Sequence, residues 1–555
     1  MFRSRDTQRI ALACGIIVAA GIAAYSNTLH APFVFDGLTL QRRFAATTLS
    51  ADPSTWFGVY PRTIGFFTFD LQNTLHGPWL PGFHAVNIAI HIIAALLLFA
   101  AVLVTCLGPR RPADVRRDAV WIALVAALFF ELHPLQTQAV TYVYQRFESL
   151  MGMWFLAAVA AFAWAVRDDA AATRGRRGWF VAAWAAILLS VGTKEVGAVA
   201  PVVLLWYDRV FVASSWRELL ARRWWFYAPA LVLFAGAAAY LYAFREHYAT
   251  GGIFDTERMS PLTYAGSQPE VICRYLRLAV WPSGLCLDWY WQPADTLWRI
   301  VPPTLVIFAL LALVAWSIVW LPVVGFLLGS FFLILAPTSS ILPIIDLAFE
   351  HRMYLPLAPL TVLAVLAGRE ALRRLPQRLL ALTLPPAVGL GAAAIIAIAL
   401  GATTYLRNEV YRSGLSLWRD IVAKSPANPR ALATLAWHLE LELGDTARAI
   451  ELNRQALDID PLLVSAHRGL AIMLHGSDRA AAIYHARYAV RLERSAENLS
   501  NLGIVLVEDS PGEAEALFRM AIELDPRFRS ARLNLAKLLT LTGRAAEAEA
   551  LLGEE

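Results

Sequence analysis

Long apolar runs separated by short polar segments fill residues 1–404, and a more polar, regularly patterned segment follows them. A helix needs about 20 apolar residues to cross the hydrocarbon core of a membrane. The pattern predicts about eleven such helices, so the chain is expected to be all-α, with a polytopic membrane helix bundle before the polar segment. The predicted spans are residues 10–25, 85–108, 119–132, 148–166, 179–192, 196–212, 225–244, 301–319, 322–337, 355–368 and 380–403.

Arginine residues mark one side of the predicted bundle. Three or four of them occur in each of the loops 109–118, 167–178, 213–224 and 369–378. Because positively charged loops are retained in the cytoplasm, the N-terminus is expected to be cytoplasmic, with 10–25 as an uncleaved signal anchor. An odd number of spans then places the C-terminal segment on the outer face. That face also receives residues 26–84, 133–147, 193–195, 245–300 and 338–354.

The C-terminal segment contains a helical repeat. The sequence Ala456-Leu457-Asp458-Ile459-Asp460-Pro461 recurs in related form at 489–494 and 521–526, at spacings of 33 and 32 residues. This period is close to that of tetratricopeptide repeats (TPRs), which are built from helix pairs. Residues 427–555 are expected to form a TPR α-solenoid of about three repeats plus a capping helix. A linker helix at 405–426 would join it to the membrane domain at 1–404.

Composition supports this division. Hydrophobic residues make up 58% of the chain and charged residues 16%, whereas soluble domains carry about 25% charged residues. Residues 407–555 hold 39 charged side chains and residues 1–406 hold 52. This distribution excludes a single soluble enzyme, a disordered chain and a nucleic-acid-binding domain. Of the four cysteines, Cys273 and Cys286 could pair if their segment faces an oxidising compartment.

Polar residues on the predicted outer face are the candidate functional residues. Asp36 follows an apolar Phe-Val-Phe sequence at the membrane interface. It is either a cap for the next interfacial helix or a general base, because a carboxylate at a dry interface can be tuned to accept a proton from a hydroxyl. His133 precedes Pro134 and could simply end a helix. Arg146 lies at the mouth of the predicted bundle, where a cation requires an anion.

Two further groups of charged residues border apolar segments. Lys194 and Glu195 lie between two predicted spans and either pair with each other to tighten the turn or contribute to a site. Glu350, His351 and Arg352 precede an apolar helix, where unpaired charges are costly. Their position predicts either a bound anion or an internal network, and phosphate suits the geometry of Arg. No Walker loop, Gly-rich dinucleotide turn or zincin helix occurs in the sequence.

In order along the chain, these motifs resemble those of integral membrane glycosyltransferases of the C superfamily (GT-C), in the branch that fuses the membrane domain to TPRs. The transmembrane and tetratricopeptide repeat-containing O-mannosyltransferases of animals belong to that branch, which also has bacterial members. The resemblance covers nearly the whole chain. Its motifs are 25–36, Arg62-Thr63-Ile64 with 83–91, His133-Pro134 with 139–146, Thr193-Lys194-Glu195, 285–289, 350–356 and 417–431.

The resemblance implies inverting transfer of a sugar from a polyprenyl-phosphate carrier to an acceptor hydroxyl on the outer face. Asp36 is expected to be the base. The phosphate of the donor would be held by Arg146, Lys194 and Arg352, with hydrogen bonds from His133 and His351. Glu195, Glu350, Tyr354 and Arg62 are expected to support the site, and the TPR domain would receive an acceptor protein or peptide.

Three positions depart from the family pattern. The family usually has acids at the positions of Gly37 and Gln138 and a proline at that of Thr63. Loss of two acids argues against a bound divalent cation, because such an ion needs two or three oxygen ligands. No other cofactor is expected, and the lipid-linked sugar is a substrate.

Two other functions stay open at this stage. The chain could glycosylate a lipid or polysaccharide, or it could be a catalytically inactive, membrane-anchored TPR scaffold. A scaffold would not need its charged residues on one side of the membrane, where the predicted topology places them. The abundance of Arg over Lys and the short loops favour a bacterial inner membrane, with the outer face in the periplasm.

Overall fold

The structure is a computed structural model that describes residues 4–46, 62–167, 174–243, 259–340, 343–344, 346–374 and 385–553. The described residues form helices, turns and loops without a strand, which confirms the all-α prediction. The chain divides into two units. Unit 1 contains Met1–Leu287 and Trp291–Arg412, and unit 2 contains Asp288–Tyr290 and Ser413–Glu555. Parts of the predicted loops 26–84, 167–178, 245–300, 338–354 and 369–378 lie outside the described residues.

The helices of unit 1 include one for every predicted span. They are α1 Ser4–Tyr25, α2 Gly37–Ala46, α3 Thr63–His76, α4 Leu80–Cys106, α5 Ala113–Glu131, α6 Thr137–Val140, α7 Arg146–Val166, α8 Arg174–Thr193, α9 Ala200–Phe211, α10 Trp216–Ala243, α11 Pro261–Val280, α12 Leu297–Trp320, α13 Pro322–Leu335, α14 Leu357–Arg374 and α15 Pro385–Asn408. Each predicted span overlaps one of the helices α1, α4, α5, α7–α10 and α12–α15, although some span ends extend past the helix, as at 107–108 and 196–199. Residues 244 and 380–384 of the predicted spans are outside the described part.

Fewer of these helices are long and apolar enough to cross a membrane. Among the described residues, five segments qualify: Asp6–Thr28, Leu80–Cys106, Val143–Val166, Leu297–Trp320 and Val388–Arg412. Ala113–Glu131 and Pro134–Val140, which meet at 51°, add a sixth if they form one broken span. Because α9 has 12 residues and α13 has 14, they extend about 18 and 21 Å, less than a hydrocarbon core of about 30 Å. The membrane helix bundle is confirmed, whereas eleven spans and their sidedness remain predictions.

Burial separates a centre of the bundle from its periphery. In the most apolar stretches of the spans that contain α4 and α7, 61% and 78% of the stretch is buried inside the protein, whereas the share in α12 is 11%. Small residues of α4 and α5, among them Ala95 and Ala126, are fully enclosed and allow the helices to approach closely. The exposed side chains of α12 are apolar, which is typical of a helix that faces lipid.

Unit 2 consists of helix α16 and four successive helix pairs. The helices are α16 Gly414–Lys424, α17 Pro429–Leu443, α18 Thr446–Ile459, α19 Val464–Met473, α20 Arg479–Leu492, α21 Ala496–Leu506, α22 Pro511–Leu524, α23 Arg529–Leu541 and α24 Ala545–Gly553. Side chains of Asn428, Asp445, Asp478 and Ser495 cap four of them, as expected for these residue types. The helical solenoid is confirmed. Its assignment to TPRs, the number of repeats and the boundaries at 404 and 426 stay predictions.

Close packing between paired helices depends on small residues. A Cβ atom placed on Gly503 in α21 would lie 2.6 Å from a ring carbon of Phe518 in α22, so a larger residue would push the two helices apart. In unit 1, Cys273 and Cys286 are not joined by a disulfide bond, which the sequence had left open. The Cys273 thiol faces the carbonyl of Pro303, and Cys286 is buried.

Candidate active site

Asp36 is presented by a tight turn between α1 and α2. It directly precedes α2, and its side chain is half-buried. The preceding residue, Phe35, has φ of 51°, a left-handed conformation that costs a residue with a side chain roughly 1–3 kcal/mol. The ring of Phe35 packs edge-on against Phe349, with 6.4 Å between ring centroids. Tertiary packing therefore holds the strained turn that exposes the Asp36 carboxylate.

Two tyrosines between α6 and α7 lie next to this carboxylate. Tyr142 is buried, and its phenol lies beside Asp36, while Tyr144 also lies within the field of that charge. Burial, and then the charge of Asp36, raises the pKa of Tyr142 well above its usual range. The phenol therefore keeps its proton, and because its buried hydroxyl makes no hydrogen bond to the described residues, it is available as a donor to the neighbouring carboxylate. The sequence analysis did not select either tyrosine, although both lie within or next to the His133-Pro134 motif.

Arg62 and Glu195 form an ion pair that is partly open to solvent. Arg62 Nε lies 3.4 Å from Glu195 Oε1, and the two side chains are 25% and 39% exposed. Arg62 precedes α3 with φ of 65°, a second left-handed residue with a side chain. Burial raises the pKa of Glu195, but the charges of Arg62 and Lys194 and a backbone hydrogen bond together outweigh it and hold the pKa below its usual value. We call this pair the outer pair.

Lys194 and Glu148 form a second, enclosed ion pair. The Lys194 ammonium contacts Glu148 Oε1, and the side chains are only 8% and 4% exposed. Burial lowers the pKa of Lys194, and Glu148 partly offsets that effect. We call this the inner pair. The interpretation in which Lys194 pairs with its neighbour Glu195 is wrong, because each residue pairs with a partner from another segment.

His351 joins the inner pair from the loop before α14. Its Nε2 lies 4.0 Å from Glu148 Oε1, and its ring stacks on Phe349. Its backbone N–H donates to Gln138 Oε1 at 2.8 Å. Burial, followed by the charges of Lys194 and other nearby cations, lowers the pKa of His351 well below its usual value. The imidazole is therefore neutral at pH 7 and can exchange a hydrogen bond without adding charge.

Arg146 is enclosed inside the bundle, where two of its three side-chain nitrogens donate hydrogen bonds and Nη1 is buried without a partner among the described residues. Its Nε donates to Asn87 Oδ1 at 2.7 Å, and one terminal nitrogen donates to Gln72 Oε1 at 2.8 Å. The guanidinium also lies over the ring of Phe69, 4.1 Å from its centroid, in a cation–π contact. The predicted contact of Arg146 with the donor phosphate stays untested, but the geometry favours a structural role.

Arg352 and His133 likewise hold the backbone in place. Arg352 donates to the carbonyls of Leu347 and Asp346, at 3.0 and 2.5 Å. Of the two alternatives for these charged residues, a bound anion or an internal network, these bonds agree with the network. His133 Nδ1 accepts from Leu135 N at 3.2 Å, and Nε2 faces the carbonyl of Ala279. His133 therefore caps the turn that follows α5, as a helix-ending residue does.

The two remaining predicted residues brace the same loops. Glu350 is buried and accepts a hydrogen bond from Cys286 N at 2.5 Å. The Tyr354 hydroxyl lies 2.9 Å from His91 Nδ1 within the bundle. The structure therefore brings together Arg62, Lys194, Glu195 and His351, together with Glu148, which the sequence analysis overlooked. It places Asp36 close by, since Tyr144 lies within the fields of both Asp36 and Arg62.

Comparison with known proteins gives the site a context. No family model matches the sequence. The chain is 25% identical to Protein O-mannosyl-transferase Tmtc3 of Drosophila melanogaster over an alignment of 568 residues, which covers 87% of this chain and 59% of that protein. It is 29% identical to Protein O-mannosyl-transferase F38B6.6 of Caenorhabditis elegans over 161 residues, 26% of this chain and 22% of that protein. The chain is a distant relative of the protein O-mannosyl-transferases.

Each alignment covers only part of the protein O-mannosyl-transferase to which the chain is similar. The chain spans about three fifths of the length of Tmtc3 and one fifth of F38B6.6. Its activity, substrates and partners are therefore matters of proposal.

The donor set at this site does not fit a divalent cation. Among the described residues, no group of three His, Cys, Asp or Glu side chains is arranged to hold a metal ion. Glu148 and Glu195 are each neutralised by a cation, and Gln138 stands where the family usually has an acid and uses its amide in hydrogen bonds to backbone. Asp36 is thus the carboxylate available for chemistry, and no step below uses a metal.

Proposed function

We propose that this protein transfers a sugar from a polyprenyl-phosphate donor to a hydroxyl of a protein acceptor, with inversion at the anomeric carbon. The observation that carries the proposal is a half-buried aspartate, held by a strained turn beside two tyrosines, in a chain that aligns with protein O-mannosyl-transferases over 87% of its length. A carboxylate so placed suits general-base catalysis.

In the proposed reaction, Asp36 accepts the proton of a Ser or Thr hydroxyl as that oxygen bonds to the anomeric carbon. The bond between the anomeric carbon and the phosphate oxygen breaks, and polyprenyl phosphate leaves with the electron pair. The phenol of Tyr142 orients the Asp36 carboxylate by donating a hydrogen bond.

Arg62 is the cation that best suits the leaving phosphate. It is the more exposed of the cations in the outer and inner pairs, because Lys194 is enclosed with Glu148. A guanidinium offers a planar set of donors that matches phosphate oxygens, and fixed charge of this kind stabilises a developing anion. Lys194 and the neutral His351 do not contact the phosphate in this proposal. Lys194 holds Glu148 in place, and His351 helps to fix the loop before α14.

The site is proposed to face the periplasm of a bacterial inner membrane, with the N-terminus in the cytoplasm. The lipid tail of the donor would lie between helices, and the helical solenoid of unit 2 would bind the acceptor protein. The sidedness rests on the Arg-rich loops of the sequence, and the acceptor class on the two related proteins.

The deciding experiment measures sugar transfer in membranes with and without the protein, supplied with a labelled lipid-linked sugar donor. Asp36→Asn is expected to lower the transfer rate by about 10²–10⁴-fold, the usual contribution of a general base. Asp295→Asn is the matched control, since Asp295 is a solvent-exposed carboxylate paired with Arg299, and it should retain wild-type activity. Undiminished transfer by Asp36→Asn would remove the proposed base.

Product analysis separates the other functions. Label in protein supports the proposal, whereas label confined to lipid or polysaccharide identifies a different acceptor. Absence of any label that depends on the protein identifies a scaffold.

A further inference from the structure

A large apolar cavity lies within the bundle of unit 1. It has a volume of about 360 Å³ and is lined by residues of α4, α5, α7, α9, α13 and α14, within the range of about 300–1,000 Å³ of ligand pockets. Its wall is almost entirely hydrocarbon, with Leu98, Phe155, Leu327 and Leu355 among the lining residues. An unfilled apolar cavity forfeits packing on every side, so an apolar occupant would stabilise the bundle.

The cavity extends along most of the length of α13. On α13 its lining runs from Val323 to Ile334, a distance of about 16 Å at 1.5 Å per residue. Polar groups in the wall are few, and among them the buried Ser330 hydroxyl makes no hydrogen bond to the described residues. The hydroxyl of Thr105 bonds to Tyr207 Oη at 2.7 Å and to a backbone carbonyl. A long, narrow, apolar space of this kind fits an alkyl chain better than a sugar or a peptide.

One charged residue, Arg111, lines the cavity. It lies between α4 and α5, and its guanidinium lies 5.0 Å from the centroid of the Phe211 ring. Burial lowers the pKa of Arg111, and no carboxylate contributes to its electrostatic surroundings in the described part of the chain. Two other cations on the same side have acidic partners, since Arg117 pairs with Asp118 and Arg369 pairs with both Asp114 and Asp118. Arg110 and Arg116, in contrast, donate to backbone carbonyls.

A half-buried cation that has no acidic partner among the described residues attracts an anion. We propose that this cavity is a binding site for an anionic phospholipid, with one acyl chain in the cavity and the phosphate at Arg111. The charge complements the cation, and the chain fills the apolar space directly behind it.

The position of Arg111 separates this site from the proposed catalytic site. α4 begins beside the Asp36 loop, where His84 contacts the carbonyl of Ala31 at 2.7 Å and Phe83 packs on Phe33. Its 27 residues extend about 40 Å before the loop that carries Arg111. A phosphate at Arg111 is therefore at the far end of α4 from the carboxylate, and the lipid bound there is not the sugar donor.

The test uses the purified, delipidated full-length protein and native mass spectrometry. Phosphatidylglycerol and zwitterionic phosphatidylethanolamine of equal chain length are titrated separately, and bound lipid is counted. The wild-type protein is expected to bind one phosphatidylglycerol at least tenfold more tightly than phosphatidylethanolamine. Arg111→Gln should remove that preference, because it removes the charge-assisted contact. Arg117→Gln is the matched control and should keep it, since Arg117 points to solvent.

A phosphatidylglycerol with a photoreactive group in its acyl chain tests the position of the tail. Crosslinks are expected on the peptides that contain Leu327 and Leu355, and Ala101→Phe should abolish them by filling the cavity. If Ala101→Phe fails to fold, Arg111→Gln alone decides the question of the headgroup.

Three results would overturn the proposal. The first is equal binding of both lipids, and the second is an unchanged preference in Arg111→Gln. The third is displacement of the photoreactive lipid by equimolar polyprenyl phosphate, which would assign the cavity to the donor tail instead. None of these measurements depends on sugar transfer, so the result stands apart from the proposed activity.

Discussion

The inner pair offers the sharpest test of the energetics at the site. Lys194→Met removes one charge and leaves the Glu148 carboxylate enclosed, with 4% of its side chain exposed. Breaking a buried ion pair by removing one partner costs about 3–5 kcal/mol, because the remaining charge is uncompensated. The outer pair is 25% and 39% exposed, and solvent-exposed pairs contribute about 0–1 kcal/mol. Lys194→Met should therefore destabilise the protein several times more than Glu195→Gln.

The assay is reversible unfolding in mixed micelles with increasing dodecyl sulfate, followed by tryptophan fluorescence from the 19 Trp residues. The double variant Lys194→Met/Glu148→Gln completes a mutant cycle. It should recover part of the lost free energy, because neither charge then stays buried alone. Equal losses of unfolding free energy in Lys194→Met and Glu195→Gln would refute the reasoning. So would a double variant whose loss of unfolding free energy exceeds the sum of the losses in Lys194→Met and Glu148→Gln.

Lys194→Met should also change the pH dependence of stability, through its effect on His351. In the wild type the folded-state pKa of His351 lies well below its usual value, through burial and nearby cations. The unfolded chain binds a proton below about pH 6.5 that the folded state excludes, so stability falls as the pH drops through that range. In Lys194→Met one of those cations is gone and Glu148 is uncompensated, so folded His351 accepts the proton more readily. The loss of unfolding free energy between pH 7 and pH 5 should therefore be smaller in Lys194→Met than in the wild type.

The remaining predictions concern catalysis and unit 2. Tyr142→Phe should lower turnover by about tenfold, because the Asp36 carboxylate loses the neighbouring phenol that is proposed to orient it. Arg62→Gln should lower the transfer rate by about tenfold or more while costing under about 1 kcal/mol in the unfolding assay, whereas a purely structural arginine would show the reverse. Gly503→Ala should destabilise unit 2 by about 1–3 kcal/mol through overpacking, measured by thermal unfolding. Gly512→Ala, where an added methyl meets no atom within 4 Å, should not destabilise it.

Most of the fold could be predicted from the sequence because it depends on local pattern. Apolar runs bounded by arginines locate every helix of the predicted bundle, and the phrase ending at Pro461 locates the helix pairs of unit 2. The number of membrane spans does not follow from the pattern alone, since α9 and α13, with 12 and 14 residues, are too short to cross alone.

The site could be predicted only in part, because its pairings join distant segments. Lys194 and Glu195 are neighbours in sequence, yet their partners lie 46 and 133 residues away. Arg146 looks like an exposed cation beside an apolar run, and only the fold shows that Asn87 and Gln72 enclose it. Local sequence identifies which polar residues need an explanation, but the packing of separate helices decides which of them face a substrate.

The two left-handed residues beside the site have a consequence for protein engineering. Glycine adopts such a backbone without strain, so a redesign that scores folding free energy alone would place it at Phe35 and Arg62. Both replacements would raise thermal tolerance at the expense of the proposed activity, since the Phe35 ring braces the turn of Asp36 and the Arg62 side chain carries the charge proposed to meet the phosphate. These two positions should therefore be kept fixed in any stabilised version of the chain.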